Sequence, residues 1–160
     1  MKKKGVQSLK VLCYVALTFC ALYLIAIFIE CPSYFYANDS GAYVRWNVDQ
    51  AWVRGLIAIG YASLAFVAVM QSAWFFANIL RGIRGGDIFP RRNVGILYAL
   101  AVVLFPFSVF SKNLTVALSS APHGSVEITD ASILLPLAVL IFAQMYKIAQ
   151  QAVEDSNLTV

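Results

Sequence analysis

GLIAIGYASLAFVAVMQSAWFFANIL, residues 55–80, runs for 26 residues without a charge and is bracketed by Arg54 and Arg81. As a helix rising 1.5 Å per residue it exceeds the roughly 30 Å hydrocarbon thickness of a bilayer. Trp52 and Trp74 would lie about 33 Å apart along it, near the separation of the two interfaces where indole rings concentrate. Three more apolar runs flank this one. Residues 11–29 are broken only by Thr18 and follow Lys2, Lys3, Lys4 and Lys10. That run is longer than a secretory h-region of about 7 to 15 residues and exits through Phe28-Ile29-Glu30-Cys31, not a small-x-small site, so a retained helix is expected. Residues 94–111 contain Pro106, and residues 131–146 make only about 24 Å of helix. The fourth run therefore needs a cap from Thr129 or Asp130 and a snorkelling Lys147 to complete a span. The expected spans are about 9–29, 53–80, 94–112 and 130–147, followed by a helical tail at 148–160.

Composition agrees with this reading. Of 160 residues, 61% are hydrophobic and 12% charged, and the mean hydropathy is +0.75. A water-soluble domain carries about 25% charged residues, and so few charges would leave large apolar patches facing water. The apolar content excludes a disordered chain, and the absence of Lys/Glu heptads excludes a coiled coil.

Lysine and arginine placement sets the expected orientation. With the N-terminus inside, the cytosolic segments hold Lys2, Lys3, Lys4, Lys10, Arg81, Arg84, Arg91, Arg92 and Lys147, and the outer segments hold Arg45, Arg54 and Lys112. Nine against three predicts an all-α integral membrane bundle of four transmembrane helices, both termini cytosolic. The net charge of +4 is then accounted for by anionic lipid of the bilayer, with no direct nucleic acid binding.

Small residues recur along the second span at Ala51, Gly55, Ala58, Ala62, Ala65 and Ser72, at alternating spacings of four and three with Val69 between. In lipid, helices associate through close van der Waals packing, so Gly55, Ala58, Ala62 and Ala65 are expected at a helix contact. Gly95 and Ala99 of the third span, and Cys13, Ala16 and Cys20 of the first, are its expected partners; a homodimer seam is the alternative use. Outside, residues 30–50 carry Tyr34, Phe35, Tyr36, Tyr43 and Trp46, expected at the interface or capping the bundle, and residues 113–129 carry a Pro122-His123-Gly124 turn.

No reaction centre is legible. The deep polar residues are Gln71, Asn78, Gln144 and a few Tyr and Ser, with no Asp, Glu, Lys, Arg or His at the centre of a span. An intramembrane protease or a proton-coupled exporter needs such groups. His123 is the only histidine and has no ligand-spaced companion, so no metal and no cofactor is expected. Of the three cysteines only Cys31 faces outward, against a disulfide-generating enzyme. The inner segment 81–93, RGIRGGDIFPRRN, lacks the GxxxxGK[ST] spacing of a phosphate loop and reads as a Gly-rich turn whose arginines meet headgroups or a docking partner. Past it in the fold, Ile148, Ala149, Ala152 and Val153 recur at helical spacing. Lys147, Gln150, Gln151, Glu154 and Asp155 are expected in water, on a helix that protrudes, loosens near Ser156, and docks a partner or pairs with Arg81 or Arg84.

Four short spans, the turn Gly86-Asp87-Ile88-Phe89 followed by Asn93, and the ending Glu154-Asp155-Ser156-Asn157-Leu158-Thr159-Val160 resemble the YoaS-like family of small bacterial membrane proteins of unknown function. That family's turn is Gly-x-x-Phe with a following Asn, and its acidic tail closes on Asp-Leu-Thr-Val, where this chain has Asn157 for the Asp. The resemblance implies a cytosolic helix-turn-helix regulator as partner. The expected role is a non-catalytic interaction or regulatory protein that binds its partner through Arg81, Arg84, Asp87, Phe89, Arg91, Arg92, Asn93, Glu154 and Asp155. The alternative is a small oligomeric channel or transporter.

Overall fold

The computed structural model describes residues 3–36, 51–87, 89–118 and 130–158, and they form four helices: α1 Lys3–Tyr36, α2 Ala51–Gly85, α3 Arg92–Leu118 and α4 Asp130–Leu158. Each contains a stretch long and apolar enough to cross a membrane: Gly5–Ile29, Leu56–Gly85, Arg92–Leu114 and Asp130–Ser156. Helix is the form such runs must take in lipid, because every backbone donor and acceptor has to be satisfied within the segment.

The helices outrun the apolar runs that nucleate them. α1 continues through Tyr34, Phe35 and Tyr36, while Tyr43, Trp46 and the Pro122-His123-Gly124 turn lie outside the described residues. α4 passes Lys147 without a break and remains helical through Ser156 to Leu158, beyond the expected loosening. Nothing between Tyr146 and Leu158 is Gly or Pro, so no residue there opposes continuation.

Two prolines sit inside helices, Pro106 in α3 and Pro136 in α4. A proline has no N–H for the carbonyl four residues earlier. For Pro136 that carbonyl belongs to Ser132, which is 1% exposed, and the Ser108 hydroxyl of α3 lies 3.4 Å from it. The same hydroxyl is 2.9 Å from the Phe105 carbonyl, so it is shared between its own helix and the neighbouring one. A freed acceptor on α4 thereby becomes an inter-helix contact.

Helices pack in chain order: α1 on α2, α2 on α3, α3 on α4. α2 and α4 meet through large side chains, the Phe75 ring lying 6.4 Å from Phe142 and 5.8 Å from Tyr146, centroid to centroid. The core cluster of Cys13, Phe75, Ile79, Leu80, Leu97, Ala143 and Tyr146 sits toward the α2–α3 turn. Elsewhere the outer faces are apolar: Leu12, Phe19, Phe28 and Ile29 are 64% to 71% exposed, and Leu134, Ile141, Met145 and Ile148 are exposed on α4. Water would penalise such a surface and lipid does not, so these faces are suited to contact with a bilayer.

The small-residue stripe of α2 is a contact for most of its length. Ala58 and Ala65 are 1% and 0% exposed, and Ala62 is half-buried. Gly55 lies in α2, but its surroundings are outside the described residues. Gly95 and Ala99 do not face this stripe: both are exposed, and nothing approaches a Cβ built on Gly95. The buried face of α3 carries Asn93, Leu97 and Ala101, and Gly95 and Ala99 fall about half a turn away. Gly60, missed in the sequence, is a close approach of α2 to α3: a Cβ there would collide with the Phe110 ring.

Ala58→Leu and Ala65→Leu should each lower stability by about 1 to 3 kcal/mol through overpacking, whereas Ala99→Leu should leave it unchanged. Thermal unfolding in detergent distinguishes the sites, and equal stability of all three variants would mean that the stripe faces lipid.

Candidate functional site

The end of the bundle that carries the α2–α3 turn concentrates the polar side chains. Its geometry begins with two glycines. Gly86 has φ +83°, a left-handed conformation that residues with a Cβ rarely adopt, and it ends α2. The Asp87 N–H then folds back to the Gly82 carbonyl at 2.9 Å, the long hydrogen bond of a Schellman cap. Gly82 has to be glycine for a second reason, since a Cβ there would collide with the Asp87 carbonyl oxygen and crowd Pro90. The Asp87 carboxylate accepts the Phe89 N–H at 3.0 Å, and the Asn93 N–H bonds the Pro90 carbonyl at 3.0 Å as α3 begins.

This turn delivers Asn93 into the interior. Its side chain is 0% exposed and both polar atoms of its carboxamide are bonded: the oxygen accepts from Asn78 Nδ2 at 3.1 Å, and Nδ2 donates to the Tyr146 hydroxyl at 3.2 Å and toward the Phe75 carbonyl at 3.4 Å. One amide thus joins α2, α3 and α4. Aromatic rings enclose it, with Tyr146 edge-on to Phe89 at 5.2 Å and to Phe75 at 5.8 Å. Enclosure strengthens these hydrogen bonds and makes any unpaired partner costly.

A charged layer lies over this buried one. Arg91 Nε and one terminal nitrogen donate to the two Glu154 oxygens at 2.9 and 2.8 Å, a bidentate pair, and Gln150 Nε2 donates to Glu154 at 2.8 Å. The Arg91 side chain is 78% exposed and that of Glu154 38%. The hydrogen bond to Glu154, reinforced by the carboxylate's charge, pushes the Arg91 guanidinium still further above its ordinary pKa. Arginine stays protonated in any case, so pH acts on the pair only through Glu154.

The residues read as a partner-facing set therefore divide. Arg81, Arg84, Arg92, Asp87 and Asp155 are exposed, Arg91 is exposed and joined to the half-buried Glu154, and Phe89 is half-buried against Tyr146. Asn93 is inside the bundle and is unavailable to a partner. Glu154 pairs with Arg91, not with Arg81 or Arg84. Gln150, expected in water, is 8% exposed and steadies Glu154. Asn78, Phe75 and Tyr146 complete the arrangement; of these the polar Asn78 inside an apolar run was the readable signal. The buried part holds two carboxamides and a phenol, suited to holding helices together, and no group of three metal-ligating side chains is clustered among the described residues.

A second feature is a cavity of about 390 Å³ between α1, α2 and α3, lined by Phe19, Cys20, Tyr23, Ala68, Leu104 and Phe107 among others. The Tyr23 hydroxyl is 3.3 Å from that of Tyr61, and the Ser72 hydroxyl in its wall already donates to the Ala68 carbonyl at 2.9 Å. Comparison with protein-family models, with curated proteins and with solved structures finds no match.

Gly82→Ala should destabilise the protein by about 1 to 3 kcal/mol, because the obstructing atom belongs to the backbone and the turn must move. Gly85→Ala, three residues on and with open space around it, should be neutral or stabilising. Detergent unfolding of the two variants checks the difference; equal effects would contradict the close approach.

Proposed function

We propose that the chain is a multi-pass protein of the bacterial cytoplasmic membrane that acts by binding, and that it presents the α2–α3 turn and the end of α4 as one composite cytosolic surface. The observation that carries this reading is the bidentate pair between Arg91 and Glu154, which joins segments 63 positions apart into a single face. Arg81, Arg84 and Arg92 lie on the turn side of that face, and Asp155 on the helix side. A partner with a mixed-charge surface complements it, and the resemblance to the YoaS-like family supports a small helix-turn-helix regulator in that role.

The excess of lysine and arginine in segments 1–10, 81–93 and 147 supports a cytosolic location for this end. An oligomeric pore is the weaker reading. Most large side chains exposed on the four spans, such as Leu12, Phe19, Val102 and Leu134, are apolar, and of the deep polar residues Asn78 is turned inward, as is Asn93, while Gln144 is exposed.

Truncation after Tyr146 keeps the aromatic contacts of α4 and removes Gln150 and Glu154. The truncated protein is expected to insert into the membrane normally and to change transcription of its own locus. Normal insertion with unchanged transcription would contradict the regulatory role of this face.

A further inference from the structure

Arg91 holds both oxygens of a carboxylate along one edge of its guanidinium, at 2.9 and 2.8 Å. That fork has the geometry that also receives two oxygens of a phosphate. Its place in the chain puts it where phosphates are: the apolar stretch of α2 ends at Leu80, that of α3 begins at Val94, and Arg91 lies between them with its side chain 78% exposed. The level is that of lipid headgroups in whichever leaflet the turn faces. Arg81, Arg84 and Arg92 are exposed on the same segment, and among the described residues none of them is paired with a carboxylate. Their field favours an anion beside Arg91 beyond the single charge that Glu154 supplies.

Glu154 is held so that it can leave. Its carboxylate sits at the end of α4, 38% exposed, and an ion pair this accessible to water exchanges readily. Gln150, four residues earlier and 8% exposed, donates to the same carboxylate from its own helix. When Arg91 is taken by another anion, Glu154 therefore retains one hydrogen bond and α4 need not unravel.

We infer that the contact between Arg91 and Glu154 is a latch opened by anionic lipid, the headgroup phosphate displacing the Glu154 carboxylate from the Arg91 fork. Lipid at Arg91 and the docked end of α4 exclude one another. Membrane charge thus sets how often the end of α4 is free, with or without a protein partner.

The test uses the full chain in nanodiscs, with its native cysteines replaced and spin labels attached through Gly85→Cys and Gln151→Cys, both at exposed positions. In phosphatidylcholine the distance distribution between the labels is expected to be narrow, and in a mixture with phosphatidylglycerol it should broaden and shift to longer distances. Inorganic phosphate added to phosphatidylcholine nanodiscs, at matched ionic strength, should leave it narrow. Glu154→Gln should give the broad distribution in both lipids and raise several-fold the ratio of phosphatidylglycerol to phosphatidylcholine retained on the purified protein. Arg91→Gln should also give the broad distribution in both lipids, without that enrichment. A distribution that ignores phosphatidylglycerol overturns the latch, as does a Glu154→Gln variant that retains no more of it than the parent. Opening by inorganic phosphate alone overturns lipid as the occupant and assigns the fork to a soluble anion.

Discussion

In a bilayer, apolar helices gain nothing from leaving lipid for one another, because the acyl chains are as apolar as leucine. Something other than burial has to select which helices touch and in what register. At the turn end of this protein the selecting group is the Asn93 carboxamide, which is wholly enclosed and bonds Asn78, Tyr146 and the Phe75 carbonyl. Moving any one of α2, α3 and α4 relative to the others would leave a buried donor or acceptor unmatched, at a cost of about 1 to 3 kcal/mol each. The features around it follow from that requirement. Gly86 and Gly82 let the chain reverse within a few residues, so that α3 starts with Asn93 pointing inward, and Phe75, Phe89 and Tyr146 keep water and headgroups away from the amide.

α4 shows how packing is achieved where hydrogen bonds are few. Its buried positions are Ser132, Pro136, Ala143, Tyr146 and Gln150, with Val139 half-buried between them, a seam spaced by fours and threes. Ser132 and Ala143 are small and allow α3 to approach. The bulk needed to reach α2 comes from Tyr146. Because Gln150 prolongs the seam past the apolar run, the helix end stays against the bundle, and Glu154 arrives one turn later within reach of Arg91.

Spans were legible because a run such as residues 55–80 has no alternative in water or in lipid. Their ends were not, since helix persists past the last apolar residue until a cap, a glycine or a proline stops it, and α4 meets none before Leu158. The site was legible as a segment but not as contacts. Asn93 follows two arginines, and local composition placed it with them on the surface; only the period of Asn93, Leu97 and Ala101 shows that it begins the buried face of α3. Gly95 and Ala99 failed for the converse reason, being small residues that lie on the exposed side of the same helix. Polarity alone puts Gln150 in water, although it continues the spacing of Ala143 and Tyr146. The choice of Arg91 over Arg81 and Arg84 as partner for Glu154 depends on how the turn folds around Gly82, which no pattern of charges reveals.

The account rests on Asn93 acting as one connected group rather than as an incidental buried amide. A double-mutant cycle measures this directly: Asn93→Ala, Tyr146→Phe, Asn78→Ala and the two pairs containing Asn93→Ala, each unfolded reversibly in detergent. Coupling energies of about 0.5 to 2 kcal/mol are expected for both pairs, the range found for hydrogen bonds between helices in membranes and for residues in direct contact. Additive effects in both cycles would contradict the claim that this carboxamide sets the register of the three helices.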